Sequence, residues 1–228
     1  MSPPEKGWQA TRARIAAAER AAGRASNTVA LLAVSKTFPA SAVRALHALG
    51  QRAFGENYVQ EGAAKRAALA ELPDIEWRLI GPLQSNKAKL AAETFDWVES
   101  VDRLAIAERL ARFRAAGRGP LNVLVQVNAS GESTKSGVAP ADAVALARDV
   151  SRLSGLTLRG IMGIPEPTLD PATQRAQFGA LRACFEACKA AGLPVDTLSM
   201  GMSADLEVAI AEGATEVRIG TAIFGARV

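Results

Sequence analysis

Lys36 stands two residues past Thr28-Val-Ala-Leu-Leu-Ala-Val34, an apolar and β-branched run. A loop lysine by itself is ordinarily a solvated charge. Here its neighbours are of the buried type, and desolvation disfavours the ammonium form and lowers the lysine pKa. A neutral amine can attack an aldehyde carbon. Near the other end of the chain, Ser199-Met-Gly-Met-Ser203 and Gly220-Thr221 offer hydroxyls and glycines that let backbone approach an anion such as phosphate. Read alone, Gly220-Thr221 is equally a plain strand-exit turn. Asp205 is placed to cap the helix after Met202. Arg218 alternates with Val217 and Ile219, which aims a permanently charged guanidinium inward, where it needs a partner. A reactive lysine facing a phosphate site suits a phosphorylated aldehyde. Pyridoxal 5'-phosphate (PLP), held as a Schiff base on Lys36, is the reading these residues support, and its ring nitrogen is one candidate partner for Arg218. An arginine there would keep the ring nitrogen unprotonated and weaken the cofactor as an electron sink.

These residues follow strand-like segments throughout. After Thr28–Val34 come Ala53–Gly55, Trp77–Ile80, Trp97–Val101, Asn122–Val127, Leu156–Ile161, Thr197–Met200 and Glu216–Phe224, with helix-like segments between them. Such alternation demands parallel strands with crossover helices. Eight steps in this length predict a closed (β/α)8 TIM barrel, in which chemistry gathers at the C-terminal ends of the strands. A doubly wound open sheet is the alternative, but no glycine-rich dinucleotide fingerprint follows the first strand. Pro4–Gly23 reads as an extra N-terminal helix, with Trp8, Ile15 and Ala18 on one face, expected to cover the closing seam. The last strand is expected to leave no room for a final helix. No linker or composition break divides residues 1–228, so one domain is expected.

Composition narrows the function classes. Hydrophobic residues are 49% and charged residues 22% of the 228, ordinary for a globular protein. The net charge is +4, but aromatics are only 5% and the basic residues are scattered, which argues against a nucleic-acid surface. Cys184 and Cys188 share a helix face without the histidine or carboxylate company of a metal site, and read as packing residues. No segment approaches the roughly 18 apolar residues of a membrane span, and a cytoplasmic protein is expected.

Ala33-Val-Ser-Lys36, Phe54-Gly-Glu-Asn57, Ile80-Gly-Pro-Leu-Gln-Ser-Asn-Lys87, Lys135-Ser-Gly137, Leu198-Ser-Met-Gly-Met-Ser203 and Val217-Arg-Ile-Gly-Thr-Ala-Ile-Phe-Gly225 closely resemble the pyridoxal phosphate homeostasis protein family. The resemblance runs from about residue 6 to the C-terminus. It departs at Arg78, where the family often has histidine. It implies a monomer with a single barrel similar to the N-terminal domain of alanine racemase. It also implies a Schiff base at Lys36, ring-nitrogen contact from Arg218, and phosphate contacts from Ser199, Ser203, Gly220 and Thr221. Asn57 and Met200 would line the ring. The implied role is buffering PLP and delivering it to apo PLP-dependent enzymes, with effects on amino-acid and keto-acid balance and without robust catalysis. Lys87 and Lys135 are secondary candidates for binding or transfer, though each reads first as solvated loop charge.

A racemase-type enzyme is the competing class. Two-base racemisation needs an acid/base group on each face of the substrate carbon. Lys36 could serve one face. The only tyrosine, Tyr58, and the only histidine, His47, are expected in packing or surface roles, which favours the carrier.

Overall fold

The computed structural model describes residues 3–130 and 136–225. Eight parallel strands close in sequence order into a barrel: β1 (Ala30–Val34), β2 (Ala53–Glu56), β3 (Glu76–Leu79), β4 (Trp97–Val101), β5 (Leu121–Val127), β6 (Leu156–Gly163), β7 (Thr197–Ser199) and β8 (Glu216–Ile219). The predicted barrel is therefore present. Its strands read as continuous apolar runs because both faces are covered. One face meets the barrel interior and the other meets the helices.

After an N-terminal helix α1 (Pro3–Ala21), helices α2 (Ala40–Ala48), α3 (Val59–Ala68), α4 (Ala88–Thr94), α5 (Leu104–Phe113), α6 (Ala143–Ser151), α7 (Pro171–Ala190) and α8 (Leu206–Ala211) lie between successive strands. α7 shows the local logic of a start: Asp170 accepts from the Ala172 and Thr173 N–H groups and Pro171 occupies the first turn, which satisfies or removes donors with no partner inside the helix. Most of the apolar core lies between strands and helices, where Phe54, Val98, Val123, Phe178, Leu181 and Val217 belong to one cluster. Inside the barrel, Leu32 and Val34 of β1 pack with Ile80. A second inner cluster joins Trp97, Leu124 and Met162.

Closure pairs Ala30 with Glu216, Leu32 with Arg218 and Ala33 with Ile219. α1 lies over this seam, burying Trp8, Ile15 and Ala18 against α8 and its neighbours. Glu19 anchors the chain as it enters β1, accepting from the Asn27, Thr28 and Val29 N–H groups. Burial opposes the charge on Glu19, but those backbone donors outweigh it and hold the carboxyl below its ordinary value.

Two linked expectations are corrected, the length of the last strand and the lack of any helix after it. The run Glu216–Phe224 is not all strand: β8 ends at Ile219, and Thr221–Phe224 form a single helical turn, α9. Gly220 leaves the extended region with φ −112° and ψ −74°. The apolar residues that imitate a strand pack elsewhere, since Phe224 stacks on Phe38 at 4.8 Å between ring centres. Gly7 allows α1 to press on this turn, because a Cβ there would meet the carbonyl oxygens of Ala222 and Ile223 at 2.5 Å.

Candidate functional site

The C-terminal end of the barrel opens into a cavity of about 360 Å³ whose walls include Lys36, Asn57, Met202, Ser203, Arg218, Gly220 and Thr221. That volume lies in the range of small-ligand sites. Lys36 continues the side of β1 on which Leu32 and Val34 face inward, as period-two alternation requires. Asn57 directly follows β2. The exit of β3 can close against it only because residue 81 is glycine, as a Cβ there would overlap the Asn57 carbonyl.

The loops after β7 and β8 are tied together. Ser203 Oγ accepts from the Ala222 N–H of α9 at 3.2 Å. Asp205 precedes α8 but does not cap it. Its side chain turns back to accept the Met202 N–H at 2.5 Å and so fixes the Gly201–Ser203 loop. Gly201 takes φ +94° with Ala209 close behind it, a conformation that favours glycine. Hydroxyls from Ser203 and Thr221, with backbone near Gly220, then converge on the cavity, a donor set suited to phosphate.

Beneath the mouth lies a polar layer that links five strands. Arg218 donates to Ser199 Oγ and to the Gly163 carbonyl, both at 2.8 Å. Ser199 Oγ also contacts Glu99 at 2.7 Å and Glu216 at 2.9 Å. Arg78 donates to Glu216 at 2.5 Å and to Glu99 at 3.3 Å, with its guanidinium 3.9 Å over the Trp97 ring. Burial opposes the charge on Arg78, but Glu216, Glu99 and Glu76 outweigh it and hold the guanidinium above its usual value. Burial lowers Arg218 below the usual value, only partly offset by Glu99, Glu216 and Asp205. A serine hydroxyl donates once and accepts twice. With Arg218 donating to it, Ser199 can donate to one carboxylate, so the other must donate to Ser199. The Glu99–Glu216 pair therefore holds a proton. Consistent with this, burial pushes the Glu216 carboxyl up to about 8 against the pull of Arg78.

The structure thus brings Lys36, Asn57, Ser203, Arg218, Gly220 and Thr221 to one cavity. It does not bring Ser199 or Met200 to the cavity wall. Ser199 sits under Arg218, and Met200 packs into the large cluster outside the strands. Lys87 ends the 3-10 turn Ser85–Lys87 that leads into α4 and is not on the wall. Lys135 lies outside the described residues. Sequence reasoning missed Phe38, Pro82 and Ile164 on the wall, and the acidic pair below it. Glu99 and Glu216 were legible only as strand residues, and a carboxylate within an apolar strand run was the available signal.

A second cavity, of about 300 Å³, lies under α1 at the opposite end and is lined in part by Trp8, Arg12, Glu19, Gln51 and Arg52. Its buried polar groups are already committed: Gln51 to Trp8, Leu31 and Ala53, and Glu19 to backbone. Among the described residues no group of histidine, cysteine and carboxylate side chains could hold a metal ion, and no helix is long and apolar enough to cross a membrane.

Barrel and mouth together define the class: the family model for the alanine racemase N-terminal domain matches residues 9–228. Within that class the chain is 60% identical over 215 residues to a pyridoxal phosphate homeostasis protein of Pseudomonas aeruginosa, covering 94% of this chain and 92% of that one. It belongs to the pyridoxal phosphate homeostasis protein family. Among solved structures, PipY of Synechococcus elongatus with PLP bound is similar at 42% identity and TM-score 0.80, covering 92% of this chain and 100% of PipY. An alanine racemase of Clostridium difficile shares the fold at 12% identity and TM-score 0.73, with 56% of that chain covered.

Proposed function

We propose that this protein holds PLP at the barrel mouth and serves in PLP homeostasis, buffering the cofactor and delivering it to apo PLP-dependent enzymes in the cytoplasm as a monomer. The observation that carries the reading is the convergence of Lys36, Arg218 and the Ser203/Gly220/Thr221 loops on one cavity, in a chain 42% identical to a protein solved with PLP bound. In this reading Lys36 would hold PLP covalently through its amine. Arg218 faces the ring nitrogen, and the two exit loops hold the phosphate. Bound PLP would supply its aldehyde and ring as a transferable cofactor.

Homeostasis rather than turnover is supported by what surrounds the cavity. A racemase-type reading has the shared barrel in its favour, but it needs a second acid/base group. Tyr58 is 63% exposed and not on the cavity wall, and His47 pairs with Asp74 at 2.7 Å on α2. Neither is placed to work opposite Lys36. Arg218 at the ring nitrogen also weakens the electron sink that proton abstraction requires.

The test is spectroscopic. PLP added to the protein should give an absorbance band near ~420 nm, typical of a protein-bound Schiff base, and Lys36→Ala should lack it. A band that persists in Lys36→Ala refutes the assignment. Incubation with either alanine enantiomer should leave its configuration unchanged, and rapid racemisation would overturn the carrier reading.

A further inference from the structure

The turn that carries Lys36 is strained and is held from outside the barrel. Thr37 has φ +69°, a left-handed conformation that costs energy for a β-branched residue. Such strain persists only where the surroundings over-determine it. The surroundings here are two carboxylates and one lysine behind β1, on the far side of the strand from the cavity. Glu56 ends β2, and Glu61 and Lys65 lie one turn apart on α3.

Lys65 spends its three donors on three oxygens: the Ser35 carbonyl at 2.7 Å, Glu56 Oε1 at 2.8 Å and Glu61 Oε1 at 2.8 Å. Ser35 Oγ donates to Glu56 Oε1 at 2.5 Å. The Thr37 N–H donates to Glu61 Oε1, also at 2.5 Å. Ser35 N–H reaches the Gly55 carbonyl of β2 at 3.0 Å. The peptide groups on both sides of Lys36 are therefore fixed by the same cluster. The Lys65 and Glu56 side chains are 8% and 0% exposed. Glu56 Oε2 is buried without a hydrogen-bond partner, a penalty that an apolar side chain would avoid.

We propose that Glu56, Glu61 and Lys65 are positioning residues for Lys36: they clamp its two flanking peptide groups and hold Thr37 in its left-handed turn, so that the Lys36 amine is presented to the aldehyde of PLP. The proposal rests on the reading of Lys36 as the Schiff-base residue. It requires that the cluster act on the condensation step, with little influence on contacts to the ring and phosphate, which come from β7 and β8.

Pyridoxamine 5'-phosphate separates the two contributions, because it keeps the ring and phosphate but carries an amine where PLP has its aldehyde. Glu61 is the residue to change first, as its side chain is 24% exposed and its loss disturbs the fold least. Glu61→Ala should weaken PLP binding roughly five- to tenfold, the scale of one ordinary hydrogen bond, while affinity for pyridoxamine 5'-phosphate stays within about twofold. Glu61→Gln, which keeps an acceptor oxygen for Thr37, should recover most of the loss. Lys65→Met should show a larger selective loss, read on protein confirmed as folded by circular dichroism. Equal weakening for both ligands, or no change for either, overturns the clamp. The wild-type arm tests the underlying reading separately: if borohydride fixes no PLP on Lys36, that reading fails and the clamp with it. A wild-type adduct with a selectively weakened Glu61→Ala supports both.

Discussion

The two cations of the mouth are held in opposite ways. Lys36 is fixed through its backbone: the contacts on Ser35 and Thr37 come from a cluster outside the barrel. Arg218 is fixed through its head: its guanidinium is bonded to Ser199 and Gly163 inside the barrel. The difference follows from chemistry. In the proposed role, an amine that bonds a visiting aldehyde needs its backbone held at a fixed distance from that aldehyde. A guanidinium that only has to face a ring needs its end immobilised, and it keeps its charge in either case. The two supports also differ in charge. Behind Lys36, one cation neutralises two carboxylates. Beneath Arg218, two arginines share two carboxyls and a proton.

The comparison breaks first at the cations themselves. Lys36→Ala removes the amine proposed to bond PLP and leaves both supports in place, so the Schiff-base band should vanish with little change in melting temperature. Arg218→Ala should do the reverse. It leaves Glu99 and Glu216 in a buried layer with Arg78 alone, and deleting one member of a buried charge cluster costs about 3 kcal/mol or more. Thermal unfolding should therefore show a large drop for Arg218→Ala and almost none for Lys36→Ala. Equal effects would mean that the two cations are not held differently.

The proton in the inner layer gives a sharper and smaller effect. Glu216 is pushed from its ordinary value near 4.5 up to about 8 in the folded protein. Between those values the folded state binds a proton that the unfolded state does not. Its stabilising contribution is therefore full below about 4.5 and is lost as pH rises through about 8. Burial sets this first, opposed by Arg78 of β3 and reinforced by Glu99 of β4, with Arg218 beside it on β8. Urea unfolding midpoints should fall between pH 5 and pH 8.5, and Glu216→Gln, which carries the missing proton as an amide, should flatten that slope. Carboxyls held low by their partners, such as Glu19 and Asp196, act in the opposite sense and at lower pH, so they do not mimic it.

Much of this was legible in the residue order, for reasons that differ between the regions. The barrel was readable because strands buried on both faces must be continuously apolar. Lys36, Asn57 and Arg218 were readable because a polar residue at the end of such a run has few places to point. The final strand was over-extended because Ala222-Ile-Phe224 is apolar for a different reason, its packing under α1 and on Phe38. Lys65 was not readable at all. Four residues after Glu61 on a helix, it has the spacing of an exposed surface pair, and only the approach of β1 and β2 turns that pair into a buried clamp. Ser199 is ambiguous in another way, since a serine near a glycine-rich exit suits phosphate as well as it suits an arginine.

Ser199 offers the smallest and most specific test of the comparison. If its hydroxyl is the joint between Arg218 and the acidic pair, Ser199→Ala removes one hydrogen bond from the guanidinium and leaves the charges in place. Glu99 and Glu216 lose the same hydroxyl, so the expected cost is about 2 kcal/mol of stability, still below that of Arg218→Ala. The spectral consequence should be larger than the energetic one. An Arg218 head held only by the Gly163 carbonyl can tilt away from the ring, and the absorbance of bound PLP, which reports the protonation of its chromophore, should then become pH-dependent over a range where the wild type is constant. Phosphate affinity supplies the opposing outcome. If Ser199→Ala weakens pyridoxamine 5'-phosphate and inorganic phosphate alike while the spectrum of bound PLP is unchanged, the hydroxyl serves the phosphate, and Arg218 is held by its carbonyl contact and by its surroundings in the polar layer.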